Sequence, residues 1–354
     1  MAKKSGVKGQ KKPIKAAVLG LGRSGWNIHI ARMRNDPRFI VTAVTDPMAD
    51  RRAQAVSELG CVAYESIDEL LKNADADVIV NATPTHLHVE TTLAAIKTGR
   101  NVILEKPVAQ TTADARKMVN AAKKKGIKLF FHHNYRFGSC QRHLREVVES
   151  GLIGRLFEIK HRGLSFNRRW DWQTLKKFGG GLLGNHGTHF IDAIMYIMGD
   201  PVKEVFSDLK LVSDAGDAED HIKVLLRTKT GIIADVEIST SCAYPEPMWT
   251  MLGSHGTLVS DGKTSTVKFF DPKKVEKKKA DTEPQPERKY IRDELPFEEK
   301  TMPSESAIKT DFYDNIFEVM REKGKMFVTP ESVLDVLAVL EKAASQKILN
   351  YREI

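Results

Sequence analysis

The sequence predicts an α/β protein in which a doubly wound parallel sheet is followed by a second α/β domain with a large, open, mainly antiparallel sheet. The 354 residues suggest two domains, at about 150 residues each. Up to about residue 135, short apolar runs alternate with helix-like segments, which is typical of a parallel sheet. Beyond that point, polar and apolar residues alternate within the runs, as in an antiparallel sheet that is covered on one face.

The first domain is expected over residues 14–135. A short buried strand at 14–19 ends at a glycine and leads into a helix to about residue 35. Ser66 and Glu69 have the spacing of a capping box, which predicts the start of another helix. The further predicted strands are 39–45, 77–81, 101–104 and 127–132, and the further predicted helices are 49–59, 89–97 and 111–125.

Residues 136–354 are expected to form the second domain. The segment 272–300 mixes acidic and basic residues whose charges nearly cancel, and we expect it to be an exposed insertion or a long hairpin. The predicted strands are 155–162, 202–212, 221–227, 231–239, 249–259 and 266–270, and the predicted helices are 142–150, 307–323 and 331–347.

The composition excludes several classes of protein. No window reaches the roughly 18 apolar residues of a membrane-spanning helix, and residues 1–15 lack the apolar stretch of a secretory signal, so we expect a cytoplasmic protein. Three widely spaced cysteines argue against a disulfide framework. The net charge of +9 becomes +3 without the six lysines of residues 1–15. We therefore interpret residues 1–13 as a disordered basic tail and expect no nucleic-acid partner.

A glycine-rich turn joins the first predicted strand to the first helix. Gly20, Gly22 and Gly25 match the pattern G-x-G-x-x-G, and Asp46 ends the next strand. The first glycine permits a tight turn, the second lets the backbone approach a pyrophosphate, and the third brings the helix against the strand. The turn therefore predicts a Rossmann domain that binds a dinucleotide. Asp46 would repel a 2′-phosphate, which favours NAD over NADP, although two arginines follow closely and weaken that preference.

Three further motifs carry polar side chains. Asn81-Ala-Thr-Pro-Thr-His-Leu-His88 and Glu105-Lys-Pro107 follow two predicted strands, at the edge where ligands of open α/β sheets bind. Gly179-Gly-Gly-Leu-Leu-Gly-Asn-His-Gly-Thr-His-Phe-Ile-Asp192 lies in the second domain. Together with the glycine turn, these motifs resemble the glucose-fructose oxidoreductase / inositol dehydrogenase family (Gfo/Idh/MocA), over nearly the whole chain from residue 14.

The resemblance implies an NAD(P)-dependent oxidoreductase that transfers hydride between nicotinamide and a secondary alcohol of a sugar, polyol or inositol-like substrate. It also implies a homodimer or homotetramer formed through the second sheet. The residues predicted to bind the cofactor are Gly20, Gly22, Arg23, Ser24, Gly25, Asp46, Thr83, Pro84, His88, Glu105, Lys106 and Asn134.

Lys106 and His189 are the predicted catalytic residues. In the family that the sequence resembles, the lysine of the Glu-Lys-Pro triplet lies by the reacting carbon, and an aspartate and a histidine lie near the substrate hydroxyl. This chain has Asn185 in place of the aspartate, and an amide cannot accept the hydroxyl proton. We therefore hypothesise that His189 is the acid/base and that Lys106 polarises the alcohol oxygen. His186 and His189 lack a third ligand at helical spacing, so we predict no metal.

Other side chains are predicted to contact the substrate. Trp170 and Trp172 offer indole rings that could stack on a sugar face, with packing between the domains as the alternative. Asp192 lies three residues after His189, on the same helical face, and could orient its ring. The predicted substrate-binding residues are Arg136, Arg169, Trp170, Trp172, Asn185 and Asp192.

Two other functions stay open on the residues alone. An enzyme of this type could keep NAD bound and oxidise a sugar transiently, so that elimination, hydrolysis or epimerisation becomes easier. The missing aspartate favours that alternative. The other is an NAD-binding regulatory protein without catalysis, and the retained Lys106 and His189 argue against it.

Overall fold

The computed structural model describes residues 11–284 and 286–352, so the predicted tail lies outside the described residues up to residue 10. The first sheet consists of β1 (Ile14–Leu19), β2 (Phe39–Thr45), β3 (Val62–Tyr64), β4 (Val78–Asn81), β5 (Asn101–Leu104) and β6 (Leu129–Phe131). The strands are parallel and lie in the order β3-β2-β1-β4-β5-β6. This order is that of a Rossmann domain, as the sequence predicts.

Helices lie on both faces of this sheet. Helix α1 begins as a π-helix over Arg23–Ile30 and continues as an α-helix over Ala31–Met33. The next helices are α2 (Ala49–Leu59), α3 (Ile67–Asn73), α4 (His88–Lys97) and α5 (Thr112–Lys125). Alternate residues of β1 enter different clusters: Ala17 packs with residues of α3, α4 and α5, and Val18 packs with residues of α1 and α2. The strands therefore bury both faces.

The second sheet has nine strands among the described residues. They are β7 (Leu156–Leu164), β8 (Val202–Leu211), β9 (His221–Thr228), β10 (Ile233–Ser239), β11 (Trp249–Gly253), β12 (Gly256–Ser260), β13 (Thr264–Phe269), β14 (Glu298–Pro303) and β15 (Ile348–Asn350). Their order is β14-β13-β12-β11-β7-β10-β9-β8-β15. Only the pairs β7/β10 and β8/β15 are parallel, so the sheet is mainly antiparallel.

Helices α6 (Ser139–Ser150), α7 (Thr188–Met198) and α9 (Pro330–Ala344) share one hydrophobic cluster with the second sheet. The same cluster continues to the α5 side of the first sheet, so the two sheets share a core. Among the described residues, no helix is long and apolar enough to cross a bilayer.

Helix α8 (Phe312–Arg321) packs differently from the other late helices. Its buried residues Phe312, Tyr313, Ile316 and Phe317 belong to the cluster on the α1 side of the first sheet. The sequence assigned this segment to the second domain, but its apolar face is buried against the first. Such long-range packing cannot be read from the local pattern of a single helix.

Several boundaries differ from the prediction. The predicted strand 249–259 is two strands, because the turn between Gly253 and Gly256 folds β12 back on β11. Short β3, β14 and β15 were not predicted, and α8 begins at Phe312 rather than at residue 307. The segment 272–297 joins the paired strands β13 and β14 and is almost entirely exposed where it is described.

Candidate active site

A cleft of about 690 Å³ runs along the carboxyl ends of β1, β2, β4 and β5. At one end it is lined by the glycine turn and Asp46, and at the other by Gly179, Gly180 and Asn185. The topology of the first sheet places these strand ends at one edge. The cleft therefore connects the predicted dinucleotide turn with the glycine-rich motif of the second domain.

The three glycines of the turn meet different surroundings. A methyl group on Gly20, whose φ is +88°, would lie 2.7 Å from the Ala82 carbonyl oxygen. A methyl group on Gly25 would lie 1.8 Å from the Gly20 carbonyl oxygen, so only glycine lets α1 approach β1 this closely. At Gly22 the nearest atom would be Arg51 Nη1, at 4.0 Å. The backbone at Gly22 is thus open to the cleft, and the turn fits a pyrophosphate at the start of α1.

Asp46 lies in the cleft wall close to the turn. Its Oδ2 accepts the Leu21 backbone N–H at 2.7 Å, and its Oδ1 accepts the Met48 backbone N–H at 2.9 Å. Arg51 Nη1 lies 3.4 Å from Oδ2. Backbone amides therefore fix the carboxylate, and each oxygen keeps acceptor capacity for a ribose hydroxyl.

Lys106 and Asn185 meet at the other end of the cleft. Lys106 Nζ donates to the Asn185 carbonyl oxygen at 3.1 Å and to Asn185 Oδ1 at 3.0 Å. Burial lowers the pKa of Lys106, the Glu105 carboxylate raises it, and Arg23 lowers it. Both oxygens that bind Nζ are neutral, so the lysine has no direct carboxylate partner among the described side chains.

His189 lies close to Lys106 but is not part of the cleft lining. Its ring stacks on Tyr135 with centroids 4.2 Å apart, and Nδ1 is buried without a hydrogen-bond partner in the described part of the chain. Burial and the nearby Lys106 lower the pKa of His189 to about 2. The imidazole is therefore neutral near pH 7, where a weak base of this kind is poorly matched to proton transfer.

Glu105 and His88 line the cleft, but other protein groups occupy their polar atoms. Glu105 Oε1 accepts from His29 Nε2 at 2.9 Å and His132 Nδ1 at 2.7 Å, and Oε2 accepts the Lys106 backbone N–H at 2.9 Å. Both ring nitrogens of His88 face backbone carbonyl oxygens, at 2.7 and 2.8 Å. The protein itself thus holds their polar atoms in place, and contact of these two cleft residues with the cofactor stays a prediction.

Asp192 and Arg136 form a buried ion pair. Asp192 is 1% exposed and accepts from Arg136 Nε and Nη2 at 2.6–2.9 Å and from His133 Nδ1 at 2.7 Å. Arg136 Nη1 also donates to Ser332 Oγ at 2.7 Å. The sequence placed Asp192 beside the His189 ring and both partners at the substrate. Arg136 and His133, rather than His189, donate to the carboxylate, and contact of Asp192 or Arg136 with a substrate stays a prediction.

The aromatic and arginine residues before the glycine-rich motif differ in whether they line the cleft. Trp172 lines the cleft and is 44% exposed, while Trp170 is 78% exposed and lies outside the lining. Trp170 is therefore too exposed to be packed between the domains, and Trp172 lies edge-on to Phe178. Arg169 is held by Asp171 in a two-bond pair at 2.9 Å and by Gln173. Asn134 lies outside the cleft lining, with its Oδ1 buried and unpartnered within the described chain.

The sequence interpretation missed some residues of the site. Gln173 lines the cleft and lies 3.4 Å from Asn185 Nδ2, and Tyr135 stacks on His189. In the sequence, only their positions next to the predicted site residues Trp172 and Asn134 indicated that they could belong to the site. His29 and Tyr313 gave no signal, because 284 residues separate them.

One group of side chains has metal-ligating chemistry. His29 Nε2, Glu105 Oε1 and His132 Nδ1 all lie within 4.8 Å of one another and are buried. Each nitrogen, however, lies 2.7–2.9 Å from the carboxylate oxygen, which is a hydrogen-bond distance. A proton between each nitrogen and the oxygen therefore accounts for these distances. A bound ion would instead lie between the ligands, about 2.0–2.2 Å from each ligand atom.

Comparison with known proteins agrees with the geometry. Residues 14–133 match the family described as "Oxidoreductase family, NAD-binding Rossmann fold". Residues 141–259 match the family described as "GFO/IDH/MocA C-terminal domain". The chain belongs to the Gfo/Idh/MocA oxidoreductase family. Myo-inositol 2-dehydrogenase of Thermotoga maritima is 30% identical over 72% of this chain and 77% of its own length.

Two other similar proteins extend this comparison. 2,7-anhydro-N-acetylneuraminate hydratase of Escherichia coli is 27% identical over 70% of this chain and 68% of its own length. The crystal structure of an NAD-binding protein from Listeria innocua superposes with a TM-score of 0.81 at 25% identity, covering 94% of this chain and 95% of that one. The fold and the family of oxidoreductases thus agree with the sequence interpretation.

Proposed function

We propose that the protein uses NAD to transfer hydride to or from a secondary alcohol of a sugar, polyol or inositol-like substrate. The single observation that carries this proposal is Lys106, a half-buried amine at the end of a cleft that begins at a dinucleotide turn. The similarity to a myo-inositol dehydrogenase supports the substrate class. Bound NAD would supply the hydride acceptor or donor, held by the backbone at Gly22 and by Asp46.

The proton of the substrate hydroxyl is assigned to Lys106 Nζ. Burial lowers the pKa of this amine, which brings its neutral form closer to the pH at which it would act as a base. Asn185 Oδ1 holds Nζ at 3.0 Å and orients it. The structure therefore favours Lys106 over His189, which the sequence analysis made the acid/base. His189 stays neutral and supports the site as a packed, uncharged neighbour.

The choice of NAD over NADP rests on Asp46. Two backbone amides fix its carboxylate beside the turn, where a 2′-phosphate would meet a negative charge. Arg51 lies 3.4 Å from the same carboxylate, and this contact already offsets part of the positive charge of the arginine. A positive charge that is paired in this way attracts a phosphate less strongly.

We also propose a cytoplasmic homodimer or homotetramer built through the second sheet.

A second candidate is an enzyme that keeps NAD bound and oxidises its substrate only transiently. The similarity to a hydratase favours it, because hydration involves no net oxidation. Asn185, which cannot accept a proton, favours it as well. Cofactor released from the purified protein by denaturation, and counted per chain, separates the two candidates. One equivalent of retained NAD supports transient oxidation, and none supports an exchanging cofactor.

Turnover with two variants tests the assignment of the proton. We expect Lys106→Met to lose at least about a hundredfold in kcat, the lower range of general acid–base catalysis. His189→Gln keeps an uncharged polar group of similar reach and should lose much less. The opposite ranking would return the acid/base role to His189. Normal turnover by both variants would contradict the proposed site.

A further inference from the structure

Four buried polar side chains form a hydrogen-bonded cluster that ends at the backbone of Lys106. The Tyr313 hydroxyl donates to His29 Nδ1 at 2.5 Å, and His29 Nε2 donates to Glu105 Oε1 at 2.9 Å. His132 Nδ1 donates to the same oxygen at 2.7 Å, and Glu105 Oε2 accepts the Lys106 N–H at 2.9 Å. We call Tyr313, His29, His132 and Glu105 the Glu105 cluster.

The Glu105 cluster connects elements that are distant in sequence. Tyr313 lies on α8, His29 lies on α1 after the glycine turn, and Glu105 and His132 follow β5 and β6. None of the four side chains belongs to a residue that is more than 4% exposed. Because water does not reach them, each lost contact leaves a buried polar atom unpaired, which is costly. The contacts therefore fix the orientation of the carboxylate.

The cluster keeps Glu105 ionised beside the reacting amine. Burial alone would raise the pKa of Glu105, but His132 and His29 hold it well below its ordinary value. This negative charge favours the protonated form of Lys106, against burial and the positive charge of Arg23. Among the described residues, His186 and His189 also interact electrostatically with Lys106.

We propose that Tyr313 and His29 are positioning residues that hold the Glu105 carboxylate next to Lys106 and so set the charge that this amine meets. The inference rests on the proposed function only in giving Lys106 a chemical role. Tyr313 fixes the ring of His29 by donating to Nδ1, which leaves Nε2–H to bind the carboxylate. Without the tyrosine hydroxyl, Nδ1 lies unpaired, and either the ring turns away or it takes up a proton that neutralises Glu105.

Both consequences of losing Tyr313 weaken the effect of Glu105 on Lys106 in the same direction. We therefore expect a lower Lys106 pKa in Tyr313→Phe and a still lower one in Glu105→Gln. The readout is the rate at which trace acetic anhydride labels Lys106 in the full-length protein, followed by mass spectrometry over a range of pH from neutral to alkaline. Only the neutral amine reacts, so a fall of one pKa unit raises the rate about tenfold at pH values below the pKa.

Matched variants separate positioning from general destabilisation. His29→Gln can donate to Glu105 and accept from Tyr313, so its labelling profile should stay near that of the wild type. His29→Leu has neither contact and should resemble Glu105→Gln. Ile316→Val trims a buried side chain of the same helix, α8, without touching the cluster, and its profile should not change. Circular dichroism identifies any variant that fails to fold.

Labelling tests the role of the Glu105 cluster and turnover tests the proposed function, so one can be contradicted without the other. At least a threefold faster labelling of Tyr313→Phe than of the wild type at neutral pH, with Ile316→Val unchanged, supports the inference. Superimposable profiles for Tyr313→Phe and the wild type overturn it. One equivalent of zinc in the purified protein, lost in His29→Leu, also overturns it in favour of a metal site. If labelling shifts but Lys106→Met turns over normally, the cluster is real and the proposed function is wrong.

Discussion

Replacing Asp192 by Asn removes a charge from the interior while keeping the size of the side chain. In the native protein the carboxylate accepts from Arg136 and His133 and is 1% exposed. In Asp192→Asn the Arg136 guanidinium stays buried without its counter-charge. Breaking a buried ion pair from one side costs about 3–5 kcal/mol. We expect the free energy of unfolding to fall by that amount.

Urea unfolding, followed by circular dichroism, measures this loss. The double variant Asp192→Asn/Arg136→Met is the control, because it also removes the charge that is left unpaired. We expect it to regain most of the stability that the single variant loses. If Asp192→Asn unfolds within about 1 kcal/mol of the wild type and loses only turnover, the ion pair is not structural and Asp192 acts at the substrate, as the sequence suggested.

The pH dependence gives a second check on Asp192. Burial alone would raise the pKa of Asp192, but His133 and Arg136 hold it below its ordinary value. A lowered pKa in the folded state contributes stability above the unfolded value of about 3.9, and the contribution disappears as the pH falls through the folded value. The difference in stability between the wild type and Asp192→Asn should therefore be constant near neutral pH and shrink below about pH 4.

Three other substitutions test the remaining parts of the cleft. Gly25→Ala places a methyl group 1.8 Å from the Gly20 carbonyl oxygen, and calorimetry should find at least tenfold weaker NAD binding; unchanged affinity would contradict the close approach of α1 to β1. Asp46→Ala should weaken binding of NAD more than that of NADP, and an equal loss would remove Asp46 from cofactor selection. Asn185→Asp puts a carboxylate near Lys106 Nζ, so the limb of the pH–rate profile that reports Lys106 should move to higher pH; an unmoved limb would show that another group titrates.

Local sequence patterns predicted the first sheet and the glycine turn well. β2 covers the predicted residues 39–45, because a β-branched apolar run between turns has few alternatives. The glycines were informative because their roles are steric and local. By contrast, β14 (Glu298–Pro303) is a charged edge strand whose pairing with β13 leaves no apolar alternation to detect.

Contacts between residues that are far apart in the sequence fix the parts of the site that the sequence did not predict. Helical spacing placed Asp192 on α7, three residues after His189, but it did not reveal that His133 and Arg136, which follow β6, bind the carboxylate. Tyr313 reaches His29 only because α8 packs on the first sheet. A pattern within one element carries no information on which distant element covers it. Site residues held by such contacts therefore require the structure.

The proposed function requires that Lys106 handle the proton while NAD exchanges hydride with a sugar or polyol. Absorbance at the reduced-nicotinamide band tests it most directly, with NAD or NADP offered to the purified protein against polyols, aldoses, ketoses, glycosides and inositols. We predict a rise with NAD and at least one of these substrates that disappears in Lys106→Met. A rise of equal rate in Lys106→Met would contradict the claim. So would a flat trace across the panel from protein that retains no cofactor and forms no product.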